Sequence, residues 1–251
     1  MKSQRERARV GSRKSVAPDP RPVTNNRLLK AMSDSDLALL TPHLLQLSLP
    51  VRTDLERPNI PFRTAYFIDH GIASVVAISD RNTQIEVGLI GCEGVSGLAV
   101  IMGSDRSPNH TYMQIGGSGF SIATDDLNAA IDQSPTLRML LLRYAQAFGI
   151  QTTHAAVANA KANVESRLAR WILMAYDRVP ASSISLTHEF LALMLGVRRP
   201  GVTESLRALT KRGLIESPKN GLIVLVDRDG LRKVAGPFYG IPEREYKRLI
   251  R

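Results

Sequence analysis

The stretch SLTHEFLALMLGVRRPGVTESLRALTKRGLI, residues 185–215, decides how the chain is read. Thr187 is placed to cap a short helix, Glu189–Leu195, because its side-chain oxygen can accept from a first-turn N–H. Phe190, Leu191, Met194 and Leu195 then share the inner face. Gly196 tolerates the positive φ with which a chain leaves a helix sharply, and Val197 fills the turn. A second helix over Arg199–Arg212 buries Val202, Leu206 and Leu209, at spacings of 4 and 3. Pro200 falls in its first turn, where a missing N–H costs nothing. Arg198, Arg199, Thr203, Arg207 and Lys211 are left facing solvent or a partner. Two short helices about a glycine, the second basic at its start, predict a helix-turn-helix. Such a helix must bury one face to be held while its first turn projects side chains, and the arginine fork matches guanine O6 and N7.

The surroundings extend this. Gly213–Glu216, Asn220-Gly221 and Leu222–Val226 predict a β-hairpin with an Asn-Gly turn, which makes the unit a winged helix. Lys219 at its tip is placed for a phosphate contact. Upstream, Asn163 caps an amphipathic helix burying Val164, Leu168, Trp171, Ile172 and Ala175. Before that, a helix from Pro135 to about Ala160 carries Leu137, Leu141, Tyr144, Phe148, Gln151 and Ala155 in a heptad rhythm, which predicts a dimer seam. Packing of that helix on its own sheet is the alternative, with Leu140, Ala147 and His154 as a second stripe. Further upstream the short runs Leu44–Leu49, Ala65–Asp69, Ile72–Ile78, Gln84–Ile90, His110–Ile115 and Gly119–Ala123 are broken at Asp69-His70-Gly71, Ser79–Asn82, Gly91–Gly97 and Gly116-Gly117. They predict an antiparallel roll. Asn25 or Asn26, Ser33 or Asp34, and Asp125 or Asp126 are the expected caps of three short helices.

Charge agrees with this division. The chain of 251 residues has a formal charge of +10. Residues 1–22 hold 7 basic and 2 acidic side chains, residues 23–180 hold 13 and 14, and residues 181–251 hold 13 and 7. The middle is neutral and both ends suit a polyanionic partner. Cys92 is the only cysteine, which excludes a disulfide framework, a multi-thiolate zinc site and a four-cysteine cluster. It reads as a small apolar filler, and Glu93 as a solvated loop charge. No apolar run approaches a membrane span and no signal-peptide core is present, so a cytoplasmic protein is expected.

The order roll, long helix, winged helix resembles the Crp/Fnr family of bacterial transcription regulators, from about Asn26 to Ala235. The best-matched part is Leu186–Ile215, including Leu195, Gly196, Val197, Arg198, Arg199 and Val202. The resemblance implies an α+β fold: an N-terminal antiparallel β-roll like a cyclic-nucleotide-binding domain, a long dimerisation helix and a C-terminal winged helix-turn-helix. Its divisions are a disordered basic arm over 1–25, the roll over 26–133, the dimer helix over 134–161, the winged helix over 162–236 and a tail over 237–251. It also implies a homodimer on two-fold symmetric double-stranded DNA and RNA polymerase as a further partner. Base-reading positions of the family pattern Arg-Glu-x-x-x-Arg fall on Arg199, Pro200 and Glu204; only the first matches, so a different half-site is expected, shaped by Thr203 and Glu204. The family's nucleotide cassette, Gly-Glu followed by Arg-Ser or Arg-Thr, falls on Gly91–Leu98. Its Glu falls at Ser96 or Gly97 and its Arg near Asn109 and His110. Gly91, Ser96, Gly97, Asn109 and His110 are therefore the candidate effector residues. With no Arg there to neutralise a buried phosphate, cyclic AMP is not expected, and the effector is unassigned.

The rivals are weaker. The glycine loops lack P-loop or dinucleotide spacing, Leu98 stands where a nucleophile elbow needs glycine, and no catalytic constellation emerges. No cofactor or metal is expected. A ligand-binding roll with a non-functional DNA domain conflicts with the intact Arg198, Arg199, Arg207 and Lys211.

Overall fold

The computed structural model describes residues 21–80, 83–179, 181–218 and 221–250. They open with α1 (Arg27–Lys30) and α2 (Asp34–Leu40), capped by the side chains of Asn26 and Ser33. Most of the expected basic arm, residues 1–20, lies outside the described residues. Its last residues are anchored: the Asn25 N–H donates to the Asp69 carboxylate, as does that of Asn26, and Arg21 pairs with Asp34.

Five strands follow, β1 (Leu45–Leu49), β2 (Asp54–Glu56), β3 (Thr64–Asp80), β4 (Thr83–Ile90) and β5 (His110–Ala123), with α3 (Leu98–Ile101) before the last. They pair antiparallel in the order β1-β5-β3-β4, with β2 also on β5. This is the expected roll, but two expected breaks do not end strands. β3 runs through Asp69-His70-Gly71 and β5 through Gly116-Gly117, with register slips between Ile68 and Ile72. A Cβ on Gly117 would lie 2.0 Å from the His70 carbonyl oxygen, and one on Gly71 2.5 Å from that of Ile115. These glycines let two long strands close and bend together, which is the work of a bulge and not of a turn.

The chain continues through α4 (Thr124–Gln133), α5 (Pro135–Lys161), α6 (Val164–Tyr176), β6 (Ile184–Ser185), α7 (His188–Leu195), α8 (Arg199–Lys211), β7 (Ile215–Glu216), β8 (Leu222–Leu225), α9 (Arg228–Ala235) and α10 (Ile241–Leu249). Asp125 and Asp126 are not caps; they sit in the first turn of α4, where negative charge opposes the positive helix end. Ser134 and Asn163 cap α5 and α6. β6, β8 and β7 form the wing sheet, with Ile215 opposite Leu225. Lys219 and Asn220 at its tip lie outside the described residues. The expected C-terminal tail carries α10, which lies against α5, and the Tyr246 hydroxyl donates to the Glu93 carbonyl at 2.7 Å. Among the described residues, no helix is long and apolar enough to cross a membrane.

Packing corrects the dimer seam. Leu137, Leu141, Tyr144, Gln151 and Ala155 are buried and Phe148 is half-buried within one protomer. The Tyr144 hydroxyl donates to Val95, and the Gln151 amide exchanges bonds of 2.8 and 3.1 Å with the backbone of Leu89. The Phe148 ring takes the space a Cβ on Gly88 would need. The heptad rhythm is real, but it serves the helix's own roll, because burying leucine and tyrosine there completes a core with Leu28, Phe67, Phe120 and Leu127. Leu140 and Ala147 of the second stripe are buried too. What α5 leaves exposed is a third stripe, Met139, Leu142, Gln146, Gly149, Thr153 and Ala156, at spacings of 3 and 4.

Candidate nucleic-acid interface

Residue chemistry builds α7 and α8 as a rigid pair. Thr187 accepts from the Phe190 N–H at 3.2 Å, and Gly196 leaves α7 at φ +57°. Arg167 of α6 donates to the Leu195 carbonyl and so ties down the turn. Leu191, Met194 and Leu195 are buried, and Phe190 meets the roll's Tyr112 edge-on, with centroids 6.1 Å apart. Val202 and Leu209 are 0% exposed and Leu206 is 4% exposed, so one face of α8 is fully held. At about 25 cal/mol per Å² of apolar surface, each such side chain contributes roughly 1.5–3 kcal/mol.

On the opposite face Arg198, Arg199, Pro200, Glu204, Arg207 and Lys211 are all exposed. Arg212 is engaged by Glu165 at 2.6 Å. Among the described residues no ion pair takes Arg198, Arg199, Arg207 or Lys211, so four cations stand free beside one carboxylate. Two predicted residues have other duties. Thr203 is half-buried, its hydroxyl donating to the Arg199 carbonyl at 3.2 Å and lying 3.1 Å from His188 Nδ1. Thr187 is exposed, but its oxygen is committed to the cap.

Residues 166–234 match the Crp-like helix-turn-helix domain. Over that stretch the chain is similar to Crp-type proteins. Solved structures that resemble the chain in fold include transcription regulators of the Crp/Fnr family. The c-di-GMP-responsive global regulator CLP of Xanthomonas campestris is 20% identical with a TM-score of 0.62, over 77% of this chain and 99% of its own. FixK2 of Bradyrhizobium japonicum is 16% identical with a TM-score of 0.61, over 76% and 96%. A Crp/Fnr-family regulator of Eubacterium rectale is 16% identical with a TM-score of 0.60, over 83% and 97%. At such identities the likeness is one of fold. No curated protein matches the chain.

The candidate effector residues do not converge. Gly91 backs onto Arg178, whose Cβ lies 2.7 Å from where a glycine Cβ would be. Ser96 is fully buried, its oxygen accepting from the Tyr66 N–H at 3.0 Å. The Asn109 N–H donates to Ser107, and His110 pairs with Asp54 at 2.8 Å, holding that carboxyl below its ordinary range. The Gly97 N–H, which opens α3, is taken by the Glu56 carboxylate, which also accepts from Thr111 at 3.0 Å. Burial pushes the Glu56 carboxyl up, against those two bonds. An Arg-Ser pair does stand in this loop, at Arg106-Ser107, three residues before the position assigned from sequence. Arg106 is exposed and bonded to its neighbour Asp105 at 2.8 Å.

Three buried charges escaped the sequence reading. Glu93 is no solvated loop residue: it is 6% exposed and paired with buried Arg178 at 2.7 Å. Glu86 lies between the roll and α6, accepting from Trp171 Nε1 at 2.9 Å and meeting Ser74. Burial pushes its carboxyl up to about 7, opposed by Ser74, Trp171, Arg170 and Arg178. Cys92 is buried with its thiol pushed up by that burial, as suits a filler.

Proposed function

We propose that this protein is a homodimeric transcription regulator that reads a two-fold symmetric operator with α8 of each protomer. The observation that carries the proposal is the division of α8 into a held face, Val202, Leu206 and Leu209, and an open one bearing four unpaired cations. Arg199, in the first turn, reads a guanine through its two parallel donors. Pro200 and Glu204 replace the other two family readers and set a different half-site. Arg198, Arg207 and Lys211 meet phosphates, with Thr187 at the start of α7 and Lys219 on the wing as outer backbone contacts. The exposed stripe on α5 joins the protomers and spaces the reading helices by about 34 Å. Acting in the cytoplasm, the bound dimer would work through RNA polymerase.

The effector is not cyclic AMP. The buried Glu56 carboxylate occupies the N–H that opens α3, and a second anion placed beside it would be repelled at short range. Regulation is a population shift in the angle between the reading heads. Selection of bound duplexes from a random pool tests the proposal: it predicts a palindrome with half-sites one helical turn apart. Retention that shows no sequence preference, or a lone half-site, refutes it.

A further inference from the structure

We infer that the recess between α5, α9 and α10 is a binding site for a small polyanion of the phosphate-bearing class. It has a volume of about 710 Å³, within the roughly 300–1,000 Å³ typical of ligand sites. Its wall carries six cations, Arg27, Arg178, Arg228, Arg232, Arg244 and Lys247, against three carboxylates. Each carboxylate is already engaged within the wall. Glu93 holds Arg178 at 2.7 Å, Asp177 takes Arg228 and the Tyr239 hydroxyl, and Glu243 accepts from the Gly240 N–H at 2.8 Å. Arg232 has only Asp229, 3.8 Å away. The side chains of Arg244 and Lys247, on the exposed side of α10, have no hydrogen-bond or ion-pair partner among the described residues. A surplus of wall cations over already committed acids favours a ligand with more than one negative charge. Phe148 and Tyr246 add ring surface for an attached body.

The recess is separate from the reading face: none of its lining residues lies on α7, α8 or the wing strands. Of the cassette loop it meets only Glu93, and it does not reach Gly97, Asn109 or His110. Its walls join the two halves of the chain, since Arg27 precedes the roll while Arg228 and Arg232 belong to the winged helix. A ligand that gathers these cations would fix the two halves relative to each other. That regulatory consequence rests on the proposed DNA-reading function; the binding itself does not.

Calorimetric titration of the full chain at constant ionic strength tests the site, using tripolyphosphate and, separately, magnesium-free ATP. The expected result is saturable binding of one ligand per chain, with ATP the tighter if its body uses the rings. Arg244→Ala with Lys247→Ala should weaken binding by about tenfold for each cation removed. Removing the exposed cations Arg57 and Arg138, which do not line the recess, should change nothing. Unaltered circular dichroism and melting exclude misfolding, because α10 buries Pro242 and Leu249 and not these two cations. Failure of both probes to saturate, or equal affinity in the double variant, overturns the inference. If that variant instead loses affinity for every duplex while the parent binds neither probe, the cations belong to the DNA footprint and the inference also falls. Probe binding by a chain that selects no DNA would refute the regulator and leave the site standing.

Discussion

Replacing Glu86 by glutamine should flatten part of the stability profile between pH 5 and 8. Glu86 is fully buried at the join of roll and α6, with its carboxyl raised from 4.5 to about 7. Burial sets the direction, and the bonding can accommodate the proton. Ser74 lies between Glu86 and Gln114 with a single hydroxyl proton, and both neighbours present it an oxygen. A protonated Glu86 that donates to Ser74, which then donates to Gln114, satisfies all three groups. Because the folded pKa is raised, the group's contribution is fully present below about pH 4.5 and is lost as pH rises through about 7. The shift corresponds to about 3 kcal/mol, a large share of a typical folding stability of 5–15 kcal/mol. Urea unfolding of parent and Glu86→Gln at pH 5 and pH 8 measures it. The parent should lose about 2.5 kcal/mol more than the variant over that interval, with the contributions of all other groups cancelling in the difference. Parallel profiles would show that Glu86 is ionised in the fold, and the proton chain through Ser74 would be wrong.

Other expectations are simpler. Arg199→Ala should lose about 1–3 kcal/mol at one base pair of the selected site and little elsewhere; a uniform loss in binding competition would make it a phosphate contact. Arg207→Ala should weaken every sequence alike and lower the salt slope by about 0.9 in anisotropy titrations. Leu142→Glu with Thr153→Glu should convert a dimer to a monomer in sedimentation, and unchanged mass would place the interface off α5. Cyclic AMP in hundredfold excess over a micromolar Kd would stabilise a binding protein by about 2.7 kcal/mol; no rise in melting temperature is expected. Leu206→Ala should cost about 2–5 kcal/mol and abolish DNA binding together with the fold of the reading half.

The winged helix was legible because its signals are local. A cap at Thr187, a left-handed glycine at 196 and a buried stripe at 202, 206 and 209 each lie within a few residues of what they control. The long-range features were not. The seam from Leu137 to Ala155 has the rhythm of helix pairing, yet rhythm says only that one face is buried and not by what. Gly71 and Gly117 read as turns, because sequence cannot show that β3 and β5 approach each other there. Glu93 looked solvated because its partner, Arg178, stands 85 residues away. The Arg-Ser pair at 106–107 lies three residues before the position assigned near Asn109, because sequence alone does not fix how the loop between α3 and β5 aligns with a motif.

The join between the two halves limits how this chain can switch. Ile72 and Leu89 of the roll share one apolar cluster with Trp171, Leu191 and Val202, so the reading half is not a bead on a free linker. Gly196, at the turn of the helix-turn-helix, has room for a Cβ only 3.3 Å from Ile85 of β4. Any rotation of α7 and α8 must therefore slide that turn along β4, and one that carries α6 with it also breaks the bond from Trp171 to Glu86. An ionised Glu86 makes the docked arrangement the more costly one, since its negative charge has only partial compensation from Arg170 and Arg178. A polyanion in the recess acts in the opposite sense, drawing Arg27 and Arg178 toward α9 and α10 and holding the halves as they are. Proton loss and ligand binding would then oppose each other in setting the distance between two Arg199 side chains.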